Sequence, residues 1–345
     1  MALWTNVDEE AGKPKYLSSA DKAKTFGMDT TEISAGGDNV TSVAVNNPGT
    51  RYLETPAVTF SGGGGSSAAA TATISGGAVT AIAVSNVGSA YTSAPTVAIA
   101  KPRRTIPTSG VNTASESIIY ATHGLAVGDE VKYYHGGGTA ATGLTNATSY
   151  YVSSLGFAAG YFRLAASTGA VAARTAISGV AISGTAGEFT CTATTLAVGD
   201  HIVIAGTLGG TGTITGYTNS TIYEVSAVTG TSPNVTGFTL VAEDLTALVT
   251  TAGTPTGLTY TPYTIVMITG TGNNAQYFEI QATADQATAA ADLGYGSGGI
   301  SATHAGWVLR TVGTGGRAGR VQTETLVAMG SMSSDASDDT VLPDA

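Results

Sequence analysis

The groups with which this chain could move protons, attack carbonyls or hold a metal are few. There are four histidines (His123, His135, His201 and His304), one cysteine (Cys191) and 24 carboxylates. No two histidines stand at a spacing that brings neighbouring imidazoles onto one metal, and Cys191, ten residues before His201, has no second cysteine to complete a ligand set. Asp129-Glu130 and Glu243-Asp244 are carboxylate pairs of the kind acid–base hydrolysis uses. Adjacent residues on a strand point to opposite faces, so neither pair converges. Gly313-Thr314-Gly315-Gly316-Arg317-Ala318 matches a loose Gly-x-Gly-x-x-Ala pattern. A dinucleotide loop must open a helix inside a βαβ unit, and here a strand is expected to follow. No nucleophile–base set can be assembled. The chain reads as non-enzymatic, with no cofactor and no metal. Cys191 reads as a small, half-buried strand residue and His123-Gly124 as a turn. The Asn-x-Thr/Ser triplets at Asn39, Asn146, Asn219 and Asn234 are at chance level in a chain this rich in Thr and Asn.

The elements that would position these groups follow from composition. Only 11% of residues are charged and 47 of 345 are Gly. Thr and Val favour the pleated surface of a strand, while Gly and Asn mark turns. Strong helix formers other than Ala are scarce. The fold class expected is all-β: tandem small β-sandwich or barrel modules built from duplicated units. A net charge of −10 argues against a nucleic-acid partner. Lys101, Arg103 and Arg104 form the one basic cluster, read as a solvated connector with a docking contact as the alternative. No basic segment followed by an apolar core opens the chain, so no signal peptide is expected. No stretch approaches 18 apolar residues, so no membrane span is expected.

Residues 1–35 hold ten charged residues with sparse aromatics (Trp4, Tyr16, Phe26) and read as an extended arm lying on a partner. Residues 36–104 contain a repeat of offset 39. Val40-Thr41-Ser42-Val43-Ala44-Val45 matches Val79-Thr80-Ala81-Ile82-Ala83-Val84, and Tyr52 to Phe60 matches Tyr91 to Ile99. Each copy is a hairpin too small to bury its own face, so the copies are expected to pack on each other. Residues 105–183 and 184–262 carry a second duplication, anchored by Leu125-Ala126-Val127-Gly128-Asp129 and Leu196-Ala197-Val198-Gly199-Asp200 at offset 71. Its recurrence gives the Gly-Asp turn, with Asp129 and Asp200, a structural reading. Residues 263–345 are expected to form a C-terminal base segment. It starts with strands at 264–268 and 277–280, then a short helix over Asp285–Leu293 ended by Gly294. It closes with two strands (307–312 and 325–329) around a Gly/Arg connector and an acidic tail from 331.

The two ends resemble a family. Trp4, Lys13-Pro14-Lys15-Tyr16-Leu17 and Phe26-Gly27-Met28-Asp29-Thr30-Thr31-Glu32, together with His304-Ala305-Gly306-Trp307-Val308-Leu309-Arg310 and Gly315-Gly316-Arg317-Ala318-Gly319-Arg320-Val321, resemble virion structural proteins of tailed phages, particularly marine and cyanobacterial myoviruses. The middle resembles β modules of phage appendages through Gly88 to Val97 and His123 to Val131. The resemblance implies a virion protein, assembled in the host cytoplasm, that decorates the capsid exterior or forms a head fibre. The termini would bind the particle and the β modules would project. Implied partners are the major capsid or neck and tail proteins and further copies of the chain, with a trimer as the habit of such appendages. Aromatic and Arg side chains carry interface energy out of proportion to their number, so Trp4, Tyr16, Phe26, Trp307, Arg310, Arg317 and Arg320 are the contact candidates. The alternatives are a neck, tail, baseplate or fibre component, or a carbohydrate-binding adhesin that meets a host-surface glycan through Tyr133-Tyr134 or Tyr150-Tyr151. In each tyrosine pair one ring is expected to face the core and the other the solvent.

Overall fold

The computed structural model describes residues 39–294 and is all-β. Five strands come first: β1 (Asn39–Asn47), β2 (Val58–Ser61), β3 (Ser66–Ser75), β4 (Ala78–Ser89) and β5 (Thr96–Ile99). Seven follow: β6 (Arg103–Ile106), β7 (Val111–Asn112), β8 (Ser117–Ile119), β9 (Glu130–Tyr134), β10 (Thr148–Val152), β11 (Tyr161–Phe162) and β12 (Leu164–Ala165). Then come β13 (Ala181–Ile182), β14 (Glu188–Thr194), β15 (His201–Gly210), β16 (Thr213–Ile214), β17 (Thr221–Thr229), β18 (Val235–Ala242), β19 (Thr250–Thr251) and β20 (Pro255–Tyr263). The last two are β21 (Gln276–Ile280) and β22 (Thr288–Gly294). Among the described residues the chain forms two compact units. The first is made of 39–49, 55–100 and 287–294, and the second of 50–54 and 101–286.

The first unit is one six-stranded sheet in the order β2-β5-β22-β1-β4-β3, curled until β2 lies alongside β3. The two sequence copies meet as expected, with a particular symmetry. Val43 pairs with Ile82 and Thr59 with Ala98, each residue facing its own counterpart 39 positions later. Two antiparallel ladders centred on equivalent residues relate the copies by an approximate two-fold. That relation places β3 and β22 in matching positions. Ala72 pairs with Ile82 as Ala291 pairs with Val43, and both alanines are buried.

The run 285–293 is therefore not the helix expected from its alanines. A 3-10 turn over Thr283–Asp285 leads into β22, which pairs with β1 on one side and β5 on the other. A nine-residue helix has little stability of its own in water, and a strand held on both edges satisfies its backbone groups.

The second unit holds two β modules, one inserted in the other. The inner module, 174–263, is the sheet β13-β14-β18-β17-β15-β20 over a core that includes Phe189, Ile202, Ile204, Val225, Phe238 and Leu240. The outer module is the sheet β12-β10-β9-β21-β6 with the small sheet β11-β8-β7. Its core includes Ile118, Val131, Tyr133, Phe162, Leu164 and Phe278. Strand β21, which follows the inner module in sequence, completes the outer one by pairing with β9 and β6. The described part of the expected C-terminal base segment is thus no segment apart: β21 closes the outer module and β22 closes the first unit. The expected connector at 101–104 is also corrected. Arg103 and Arg104 lie in β6, Arg104 is 1% exposed, and Lys101 Nζ donates to Gln281 Oε1 at 2.9 Å. Alternation explains the burial, since a strand with one face on a core hides every second side chain.

Candidate functional site

Three polar constellations stand out in the second unit, and each is built by strand geometry. The first is duplicated. In both copies of the Leu-x-Val-Gly-Asp turn the aspartate accepts from the backbone three residues back: Ala126 N–H donates to Asp129 Oδ2 at 2.6 Å and Ala197 N–H to Asp200 Oδ2 at 2.8 Å. Glycine with positive φ before each aspartate makes the tight reversal. The turn is then sewn to the neighbouring strand: Gly128 N–H donates to Val152 O and Val152 N–H to Asp129 O, as Gly199 N–H does to Val225 O and Val225 N–H to Asp200 O. Each carboxylate also meets an arginine. Arg51 pairs with Asp129 and with Asp285 (3.1 Å), and Arg174 pairs with Asp200. Thr264 Oγ1 adds a hydrogen bond to Asp200 Oδ1 at 2.7 Å. These aspartates are clasps, as their recurrence indicates.

The second constellation lies on the outer face of β6, β21 and β9. Tyr134 and Tyr277 stack at 4.9 Å with 19° between ring planes. The Arg103 guanidinium lies 5.2 Å from the Tyr277 ring centre and the Lys132 ammonium 5.8 Å from that of Tyr134. Glu54 fixes Arg103 at 3.2 Å and accepts from Thr105 Oγ1 at 2.6 Å. The tyrosine pairs divide as alternation requires: Tyr133 and Tyr150 are buried, while Tyr134 and Tyr151 point outward. The Tyr134 and Tyr277 rings use stacking surface on each other and on two cations. That makes them a strut across strands before they are a platform for a sugar ring.

The third constellation is buried where the outer and inner modules meet. Glu116, in the turn before β8, is 3% exposed, and its φ of 51° is a left-handed conformation unusual for a side-chain-bearing residue. Its Oε2 lies 3.2 Å from Nε2 of His201, which opens β15 and is fully buried. The pair is close but not aligned for a hydrogen bond, and among the described residues Glu116 Oε2 has no hydrogen-bond partner, while the Gly199 backbone acts on the His201 imidazole against the effect of burial. His201 is the cross-strand partner of Glu224 on β17, which is 8% exposed. Arg163, 2% exposed, donates to Ser115 O at 2.8 Å and Leu155 O at 3.3 Å and pairs with Glu243. Burial, reinforced by the charges of Glu224 and Glu243 and opposed by Arg163, pushes the Glu116 carboxyl up to about 8. Burial, with Arg163 acting in the same direction, pushes the His201 imidazole down to about 4. Both groups are therefore driven toward their neutral forms. The pair can store a proton, and both side chains are buried.

Among the described residues, His123 and Cys191 are both at least partly buried. His123 is 1% exposed: its Nδ1 accepts from Leu125 N–H at 3.0 Å and its Nε2 faces Ala158 O at 2.8 Å, which puts the proton on Nε2. It sits edge-on to Phe157 and Phe162 as a satisfied core histidine. Burial pushes the Cys191 thiol up, away from the reactive thiolate. A cleft of about 270 Å3 among Thr215, Tyr223, Ala242, Thr246, Leu248 and Val249 is lined by no charged side chain. No group of three or more His, Cys, Asp and Glu side chains suited to a metal occurs among the described residues, and no described helix is long and apolar enough to cross a membrane.

The contact candidates Trp4, Tyr16, Phe26, Trp307, Arg310, Arg317 and Arg320, with His304 and the Gly313–Ala318 loop, lie outside the described residues. Sequence reasoning missed Arg51, Arg174, Glu116 and Arg163. The last carried a signal, a charge between Phe162 and Leu164 in a strand-forming run. No protein-family model, curated protein or solved structure matches the chain.

Proposed function

We propose that this chain is a structural, non-enzymatic component of a tailed-phage particle, held to it by its terminal segments while its β units project. One observation carries the reading. Asn39 and Gly294 are register partners at the same end of the β1–β22 ladder. The chain enters the described fold and leaves it at one place, although 254 residues separate those points in sequence order. Two segments that resemble phage virion proteins are thereby joined to one end of one sheet, and everything between them forms a nested β insert. The polar groups that could suggest catalysis support the same reading, because Asp129, Asp200, His123 and Arg163 are committed to structural contacts.

Decoration of the capsid exterior or a head fibre is the specific role proposed, with the major capsid protein as partner and further copies of this chain alongside. Mass spectrometry of gradient-purified particles tests it. Copy numbers on the scale of the capsid lattice are expected. A few copies per particle would move the chain to the neck, tail or baseplate, and its absence from particles would overturn the virion reading in favour of an adhesin.

A further inference from the structure

We infer that the joint between the outer and inner modules of the second unit is held by one retained proton: Glu116 is present as the neutral acid against neutral His201, and loss of that proton loosens the joint. The geometry argues this by counting charges. Three carboxylates, Glu116, Glu224 and Glu243, converge with a single guanidinium, Arg163, and one imidazole. Arg163 is already committed to Glu243 and to the carbonyls of Ser115 and Leu155. Arg174 is committed to Asp200 and to Thr195 O, and Asp200 takes a further bond from Thr264. The remaining register neighbour of His201 is Tyr263 on β20. Among the described residues no cation other than Arg163 acts on Glu116, and none is paired with Glu224. A buried carboxylate without a partner is expelled or neutralised, and Glu116, at 3% exposure, is not expelled.

The local backbone supports the assignment. Glu116 occupies left-handed space that Gly or Asn would take more readily, and the turn uses it to aim a carboxyl into the joint. Proton exchange balances simply. The Glu116 O–H either stays on oxygen, with His201 Nε2 as acceptor after a small realignment, or leaves to solvent as pH rises. The carboxylate then repels Glu224 and Glu243 across the module boundary.

The experiment uses the full chain and two readouts. The first is the infrared carbonyl band of a protonated carboxylic acid, compared between wild type and Glu116→Gln. Wild type at pH 6.5 is expected to show a band that Glu116→Gln lacks and that disappears on titration through about pH 8. The second needs no variant: hydrogen exchange of the amides of Ser117–Ile119, His201–Ile204 and Thr221–Val225 in wild type. It is expected to rise at least tenfold from pH 6.5 to pH 9 after correction for the intrinsic base dependence, while β4 and β3 stay unchanged. Glu116→Gln, which keeps a neutral donor, should remove that rise. A wild-type spectrum without the band at pH 6.5, or corrected exchange that stays flat to pH 9, overturns the inference.

Discussion

Asn39 and Gly294 face each other across the first and last described strands, in antiparallel register. That pairing makes the whole described chain a nested insertion. The first unit is interrupted by the second, and within the second the outer β module is interrupted by the inner one. In both cases closure waits for a strand from beyond the insert, β22 for the first unit and β21 for the outer module.

Closure of the first unit by its own β22 can be trapped. Ala44 and Ala290 are direct partners and both are exposed. Cysteines at such positions lie within reach of a disulfide. Ala44→Cys with Ala290→Cys, in a Cys191→Ser background, should oxidise to an intrachain bond, read as a monomer of altered mobility on a non-reducing gel. A covalent dimer would show instead that copies exchange this strand.

The two-fold relation between the sequence copies makes a symmetric prediction. Ala72 and Ala291 occupy equivalent buried positions, opposite Ile82 and Val43. Ala72→Leu and Ala291→Leu each overpack the same kind of site and should each cost about 1–3 kcal/mol. Urea denaturation should give similar shifts of midpoint. A large effect at Ala72 with none at Ala291 would mean that β22 is not an integral strand.

The two aspartate clasps should differ in weight. The Asp200 side chain is 4% exposed and the Asp129 side chain 20%. Asp200→Ala strands Arg174 beside a buried turn and should cost about 3–5 kcal/mol. Asp129→Ala loses a turn cap and a half-exposed pair, for about 1–2 kcal/mol. Chemical denaturation checks the order, and an equal or reversed cost would show that burial does not set their worth.

A glycine supplies a sharper test of the outer module. Gly143 has φ +103°, and a Cβ there would lie 1.8 Å from the carbonyl oxygen of Met267. Gly143→Ala should cost more than about 2 kcal/mol, since both the conformation and the space are wrong for a side chain. A midpoint shift within error of wild type would place this turn elsewhere.

Stability against pH carries the signature of the joint. Glu116 is raised from 4.5 to about 8, so the folded chain keeps a proton that the unfolded chain sheds, and stability falls as pH rises between those values. His201 is lowered from 6.5 to about 4, so the unfolded chain gains a proton first as pH falls, and stability declines from 6.5 down to 4. Between 4.5 and 6.5 the two slopes cancel, because each state then holds one proton across the pair. In the difference between wild type and Glu116→Gln, the Glu116 slope alone should remain, at most about 1.4 kcal/mol per pH unit. A difference that does not change with pH would contradict the assignment.

Much of this fold was readable in the sequence because both duplications preserve the groups that make ladders. Val40 and Val79 are buried at equivalent positions, and Asp129 and Asp200 cap equivalent turns. What could not be read was which distant strand closes each sheet. Nothing in Thr288-Ala289-Ala290-Ala291 names β1 as its partner, and small residues without amphipathic period read equally as helix. The joint was hidden for a related reason. Alternation puts Phe162 and Leu164 inside and Arg163 outside, but a second module packs where solvent was expected, and all three are buried. The contact candidates in the terminal segments rest on residue type and resemblance alone.

The central claim is that the terminal segments attach this chain to a virion while the β units project, and cryo-electron microscopy of purified particles tests it most directly. The account predicts density for the chain on the exterior of the icosahedral head, with the Asn39–Gly294 end of the first sheet toward the shell. Density with that end pointing away from the shell, or particles in which the chain is absent, would contradict it.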